Sequence, residues 1–190
     1  MRAVPVVFAA AAIVAALGVG TPARTQVKVV GGPFATTCAA LAIGGAKMVE
    51  AVEICTRAID YDTGLSSQDA AKTLVNRGVI QMRRGQLSDA EKDFAAAQST
   101  MPQLAEIYIN RGVSLIRQGK WREALVQLDR GILLNPWEPE KAYFNRALAR
   151  EALGDLVGAR ADFSKAAELK PDWMRPVIEL RRYPTTLSAR

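Results

Sequence analysis

Between residues 71 and 171 the apolar and polar positions recur with a period of 34 to 35 residues. The three copies are AKTLVNRGVIQMRRGQLSDAEKDFAAAQSTMP (71–102), AEIYINRGVSLIRQGKWREALVQLDRGILLNP (105–136) and EKAYFNRALAREALGDLVGARADFSKAAELKP (140–171). Each holds two amphipathic stretches of helix length, joined at Gly85, Gly119 or Gly154 and closed by Pro102, Pro136 or Pro171. Proline cannot continue a helix interior, so it ends or restarts a unit. Small residues recur at Gly78, Gly112 and Ala147 in the first stretch. They recur again at Ala90, Ala124 and Ala159, and at Ala97, Gly131 and Ala166, in the second. Such a row lets two antiparallel helices approach closely. Phe94, Leu128 and Phe163 are the bulky residues that fill the space between neighbouring hairpins. Ser88 to Glu91 spells a capping box for one second helix, and Asp155 is an N-cap for another.

These small, bulky and proline slots resemble the tetratricopeptide repeat family, whose unit is a 34-residue helix-turn-helix. Arg77, Arg111 and Arg146 stand where that family usually has Leu. The resemblance implies an all-α fold, a right-handed solenoid of antiparallel helix-turn-helix repeats with a C-terminal capping helix. Ala51, Cys55 and Ala58 repeat the spacing of Ala90, Phe94 and Ala97, so a degenerate unit is expected at 36–60. Its first helix, near Thr36–Ile43, ends in Gly44-Gly45, and extra residues follow from Tyr61 to Ser67. A capping helix is expected at 173–182, because the end of a stack must cover an exposed face. Residues 24–35 read as a flexible linker and 183–190 as a flexible tail.

In this register Cys38 takes the slot of Arg77, and Cys55 that of Phe94, facing each other across one hairpin. A disulfide would close a loop of about 17 residues and contribute on the order of 3 kcal/mol. The alternative is two free buried thiols. Arg77 precedes Asp93 by 16 residues and Arg146 precedes Asp162 by the same 16, which predicts two ion pairs within hairpins; the matching partner of Arg111 is Gln127. A partly buried guanidinium needs such a partner.

In the resembling family the first helices line a concave face where peptides usually bind. On that face this sequence places Val75, Asn76, Val79, Met82 and Arg83, then Ile109, Asn110, Val113, Ile116 and Arg117, then Phe144, Asn145, Leu148 and Glu151. The result is an apolar groove with one Asn per hairpin. An amide both donates and accepts, so a row of them can hold an extended backbone. The competing reading is that the Asn residues bond only to neighbouring helices and the apolar ones pack on a cap or a second copy. Some family members grip a C-terminal carboxylate with Lys or Arg one turn around the Asn. Here those places hold Val75, Val79, Ile109, Val113, Phe144 and Leu148, which favours an apolar or amphipathic segment instead.

Upstream, residues 1–23 carry Arg2, an uncharged run from Ala3 to Gly20, and Thr21-Pro22-Ala23. This has the form of a secretory signal peptide cut after Ala23, with an uncleaved anchor as the alternative. Export, to a bacterial periplasm, is the expectation, and two cysteines in an exported chain suit one disulfide. Removing this segment lowers the net charge from +6 to +5, a scattered excess that suits an acidic or anionic partner and, with export, no nucleic acid. The chain of 190 residues contains no His, which excludes His-based acid–base chemistry, His-activated nucleophiles and imidazole metal sites. Asp93, Asp129 and Asp162 recur at repeat positions rather than as a converging acid pair. The expected function is a non-enzymatic interaction scaffold without cofactor or metal. The second reading is an envelope assembly factor docking a basic face to anionic lipid or cell-wall polymer.

Overall fold

The computed structural model describes residues 32–183, which form helices throughout and, within that span, no strand. The helices are α1 (Pro33–Ile43), α2 (Val49–Tyr61), α3 (Ser67–Arg83), α4 (Leu87–Thr100), α5 (Ala105–Arg117), α6 (Trp121–Leu133), α7 (Pro139–Ala152), α8 (Leu156–Leu169) and α9 (Met174–Leu180). They pair as hairpins α1–α2, α3–α4, α5–α6 and α7–α8, with α9 against α8. Successive first helices touch one another: α1 meets α3, α3 meets α5, and α5 meets α7. Each second helix reaches the next hairpin through that hairpin's first helix. The first helices therefore sit closer together than the second ones and form the inner layer of an all-α solenoid. The signal segment expected at 1–23 and residues 184–190 lie outside the described residues.

Close packing within each hairpin follows from the small residues. A Cβ added at Gly78 would stand 2.6 Å from Phe94 Cε1, and one at Gly112 would stand 2.6 Å from Leu128 Cγ. Phe94, Leu128 and Phe163 are fully buried. The hairpin turns at Gly85, Gly119 and Gly154 require positive φ, at 82°, 73° and 83°.

Four local expectations are corrected. Ser88 does not cap α4. The left-handed Gly85 ends the turn earlier, Gln86 becomes the N-cap without a side-chain bond, and Ser88 falls inside the first turn. A side-chain cap occurs instead at α3: Ser66 Oγ accepts from the Asp69 N–H at 3.1 Å and donates to Asp69 Oδ2 at 2.6 Å. That cap starts α3 at Ser67, four residues ahead of the expected unit boundary at 71. The linker expected through residue 35 gives way to helix at Pro33, where proline's fixed φ suits a first helical position. Finally, Tyr183, expected in the tail, is buried with its ring 5.9 Å from that of Phe163. Burial pushes its phenol up to about 12, with Glu151 adding to the shift. Asp155 does cap α8, accepting from the Gly158 N–H at 2.9 Å.

Candidate functional site

Rigid helices must first be fixed against each other, and arginines do much of that. Arg77 binds Asp93 through two bonds, Nε to Oδ2 at 2.8 Å and Nη2 to Oδ1 at 2.7 Å, and its Nη1 donates to Thr56 Oγ1 at 3.0 Å. Arg146 binds Asp162 by the same fork at 2.8 Å and 2.8 Å, and reaches Asp129 Oδ1 at 2.7 Å. Thr56 and Asp129 belong to the preceding hairpins. Each arginine thus joins its own second helix to the previous one. The two-bond fork raises both guanidinium pKa values above the usual arginine range.

Arg111 departs from the expected pairing. It donates to Gln98 Oε1 at 2.6 Å and pairs with Glu91 at 2.5 Å, both on α4, and leaves Gln127 alone. Gln127 Oε1 is enclosed without a hydrogen-bond partner. An uncharged amide offers a guanidinium less than the Glu91 carboxylate of the preceding hairpin does. Asp129 and Asp162 likewise do not stand apart, since both converge on Arg146, and Arg150 adds a second cation 3.0 Å from Asp162. Charge-neutralised in this way, they form a structural cluster rather than a free acid–base pair.

Cys38 and Cys55 are joined in a disulfide that ties α1 to α2. Both residues are fully buried, beside Ala42, Ala51 and Ile80.

The inner face is narrower than the sequence suggests. Val75 and Phe144 are 6% and 3% exposed and offer almost no surface. Phe144 lies under the C-terminal turn, 4.9 Å from the Trp173 ring and 5.3 Å edge-on to Phe163, with the Arg175 guanidinium 5.0 Å from its centre. Ile109 turns into its own hairpin, where its Cδ1 fills the space a side chain on Gly131 would need. Val79 and Val113 are half-buried against the Phe94 cluster, and Leu148 against the Phe163 cluster. Asn76, Asn110 and Asn145 are half-buried on α3, α5 and α7. None of these three amides bonds to another described residue, and none is sealed from solvent. A floor of Val79, Val113 and Leu148 with three unspent amides is what the inner layer presents. Helix axes about 9 Å apart put successive amides roughly three residues of extended chain from one another.

The cover on Phe144 matches the competing reading, an apolar residue packed on the C-terminal cap; which cap residues supply it was not legible, because Trp173 and Arg175 lie outside the repeat. Nor were Thr56 and Asp129, because their bonds run between hairpins while the repeat spacing encodes contacts within one.

Comparison with known proteins places this geometry. Residues 109–172 match the tetratricopeptide repeat family. Tetratricopeptide repeat protein 36 of Bos taurus is 31% identical over 119 residues, covering 60% of this chain and 63% of that protein. The Hsp70-Hsp90 organizing protein of Triticum aestivum is 27% identical over 116 residues, covering 61% of this chain and 20% of the wheat protein. The chain therefore spans less than two thirds of the length of either curated relative. Among solved structures, the first TPR of Spaghetti (RPAP3) bound to the HSP90 peptide SRMEEVD superposes with a TM-score of 0.56 at 27% identity, covering 59% of this chain and 88% of that one. A hairpin repeated at 34 to 35 residues, with residues 109–172 matching the tetratricopeptide repeat family and the fold superposing on most of a solved domain, gives this chain a tetratricopeptide-type repeat fold.

Proposed function

We propose that this protein is an exported, non-enzymatic scaffold that binds an extended or amphipathic segment of another protein along the inner face of α3, α5 and α7. The observation that carries this reading is the row of Asn76, Asn110 and Asn145, three half-buried amides with no partner among the described residues. A partly desolvated amide without a partner gains from a peptide backbone that supplies both a donor and an acceptor. The apolar floor of Val79, Val113 and Leu148 accepts the intervening side chains. A peptide-bound relative of the same architecture supports recognition of protein segments by this fold. Export is supported by the form of residues 1–23 and by the Cys38–Cys55 disulfide, which suits an oxidising compartment such as a bacterial periplasm.

Docking of a basic face to anionic lipid or cell-wall polymer draws less support. Arg77, Arg111, Arg146, Arg150 and Arg182 are all engaged by carboxylates of the same chain.

Photo-crosslinking in the native cell tests the proposal, with the reactive side chain placed at Asn76, Asn110 or Asn145 and, as an outward control, at the exposed Lys92. One defined protein captured from the three Asn positions and not from Lys92 is the expected result. Capture of only a second copy of the chain, or the same products from every position, would sink it.

A further inference from the structure

Arg83 and Arg117 hold the same place in successive hairpins, 34 residues apart, in the last turns of α3 and α5. Each reaches back to the preceding first helix. Arg83 Nη1 donates to the Ala42 carbonyl at the end of α1, and Arg117 Nη1 donates to the Met82 carbonyl at 3.1 Å. Helix C-termini carry partial negative charge, which accounts for one contact per side chain. A guanidinium has five N–H donors, so most of each fork is unspent. Among the described residues neither has a carboxylate within 4.0 Å, whereas Arg77, Arg111, Arg146 and Arg150 all do. Arg83 is held at the Ala42 carbonyl and Arg117 at the Met82 carbonyl, so two cations line the ends of successive first helices with no counter-ion among the described residues. Burial, together with the charge of Arg117, lowers the Arg83 pKa from the usual arginine range. An anion between them relieves both the burial and the repulsion.

The position matters as much as the charge. Arg83 lies seven residues beyond Asn76, and Arg117 seven beyond Asn110. Seven residues are two turns on one helix face, about 10 Å, which an extended peptide covers in roughly three residues. We infer that Arg83 and Arg117 form a shared carboxylate site at one end of the asparagine row, so that the bound segment is acidic, with a carboxylate about three residues from the part held by the amides. The inference rests on the proposed binding face and names the chemistry of its ligand. It uses different positions from the Lys or Arg grip of other family members, whose places here hold Val75, Val79, Ile109, Val113, Phe144 and Leu148.

The test uses three short peptides: acetyl-Ser-Val-Ser-Glu-amide, its Gln analogue, and acetyl-Ser-Val-Ser-Val with a free C-terminal carboxylate. Binding to the whole protein is followed by the Nε–Hε resonances of the arginines. The Glu peptide is expected to shift Arg83 and Arg117 and to bind about tenfold more tightly than the Gln peptide, the size of one charge-assisted contact. Arg83→Gln with Arg117→Gln should abolish that difference, and the Lys pair should keep part of it. Arg117→Gln alone, which gives up only the Met82 contact, serves if the Arg83 change loosens α1. A shift by the free-carboxylate peptide in place of the Glu peptide would assign the anion to a chain terminus and leave the site standing. Equal binding of the Glu and Gln peptides with no shift by the free-carboxylate peptide, or unmoved Arg83 and Arg117 resonances with all three, would overturn it. Continued capture from the Asn positions in that case would leave the binding face intact and remove only its acidic preference.

Discussion

In the α1–α2 hairpin the two helices are held by a covalent bond; in α7–α8 they are held by the Arg146 and Arg150 guanidiniums on Asp162. The difference follows from what each hairpin buries. The buried residues of α1 and α2 are Ala35, Cys38, Ala39, Ala42, Ala51, Cys55 and Ala58, all small. The α7–α8 hairpin buries Phe144 and Phe163, with Trp173 and Tyr183 packed against them. Apolar area removed from water sets the hydrophobic contribution, and an aromatic side chain removes far more of it than alanine. The first hairpin lacks that contribution, and a cross-link that constrains its unfolded state offsets the deficit. The last hairpin has the area and uses its Arg–Asp cluster for registration between neighbours. One repeat geometry is thus stabilised by two different means at its two ends.

Changes at the two ends break that comparison in different ways. The largest effect is expected from Asp162→Ala, which leaves Arg146 without its fork partner and Arg150 with only the more distant Asp155. The expected loss is about 4 kcal/mol, read as a lowered urea midpoint for the whole repeat array. Cys38→Ala with Cys55→Ala is expected to cost about 3 kcal/mol, and to cost it locally. Hydrogen exchange should rise across α1 and α2 while α5 to α8 keep their protection; uniform loss across all hairpins would contradict the local account. The smallest effect sharpens the comparison from the middle. Gln127→Asp replaces an enclosed, unpartnered amide with the carboxylate found in the neighbouring hairpins, within the 16-residue register of Arg111. A gain of about 1 kcal/mol is expected, measured as a raised midpoint. A loss would show that Arg111 cannot bridge two helices as Arg146 does.

The sequence exposed the hairpins because Gly78, Gly112 and Ala147, and the three prolines, mark equivalent places in each copy. The spacing of Arg77 to Asp93 and of Arg146 to Asp162 was legible for the same reason, since a contact within a repeat has a fixed separation. Contacts between repeats do not. Arg111 therefore pairs with Gln98 and Glu91, which no within-hairpin register points to. Ser88 misled because a capping pattern acts only where the chain leaves its turn, and Gly85 sets that point two residues earlier than the pattern implies. The inner face was read too broadly for a third reason. Helical periodicity identifies a face but not what lies over it, so it left open whether Phe144 faces a ligand or the cap that Trp173 and Arg175 supply, and it did not show the inward turn of Ile109.

The measurement that bears most directly on the central claim is calorimetric titration of the captured partner segment into two variants of this protein. In one, Asn76, Asn110 and Asn145 are changed together to Ala; in the other, outward residues including Lys92 are changed. Each backbone–amide bond contributes about 1 kcal/mol, so the Asn variant should bind at least about tenfold more weakly with an unchanged melting temperature, and the outward variant should bind as the parent does. Undiminished affinity in the Asn variant would contradict the account and place the partner elsewhere on the solenoid.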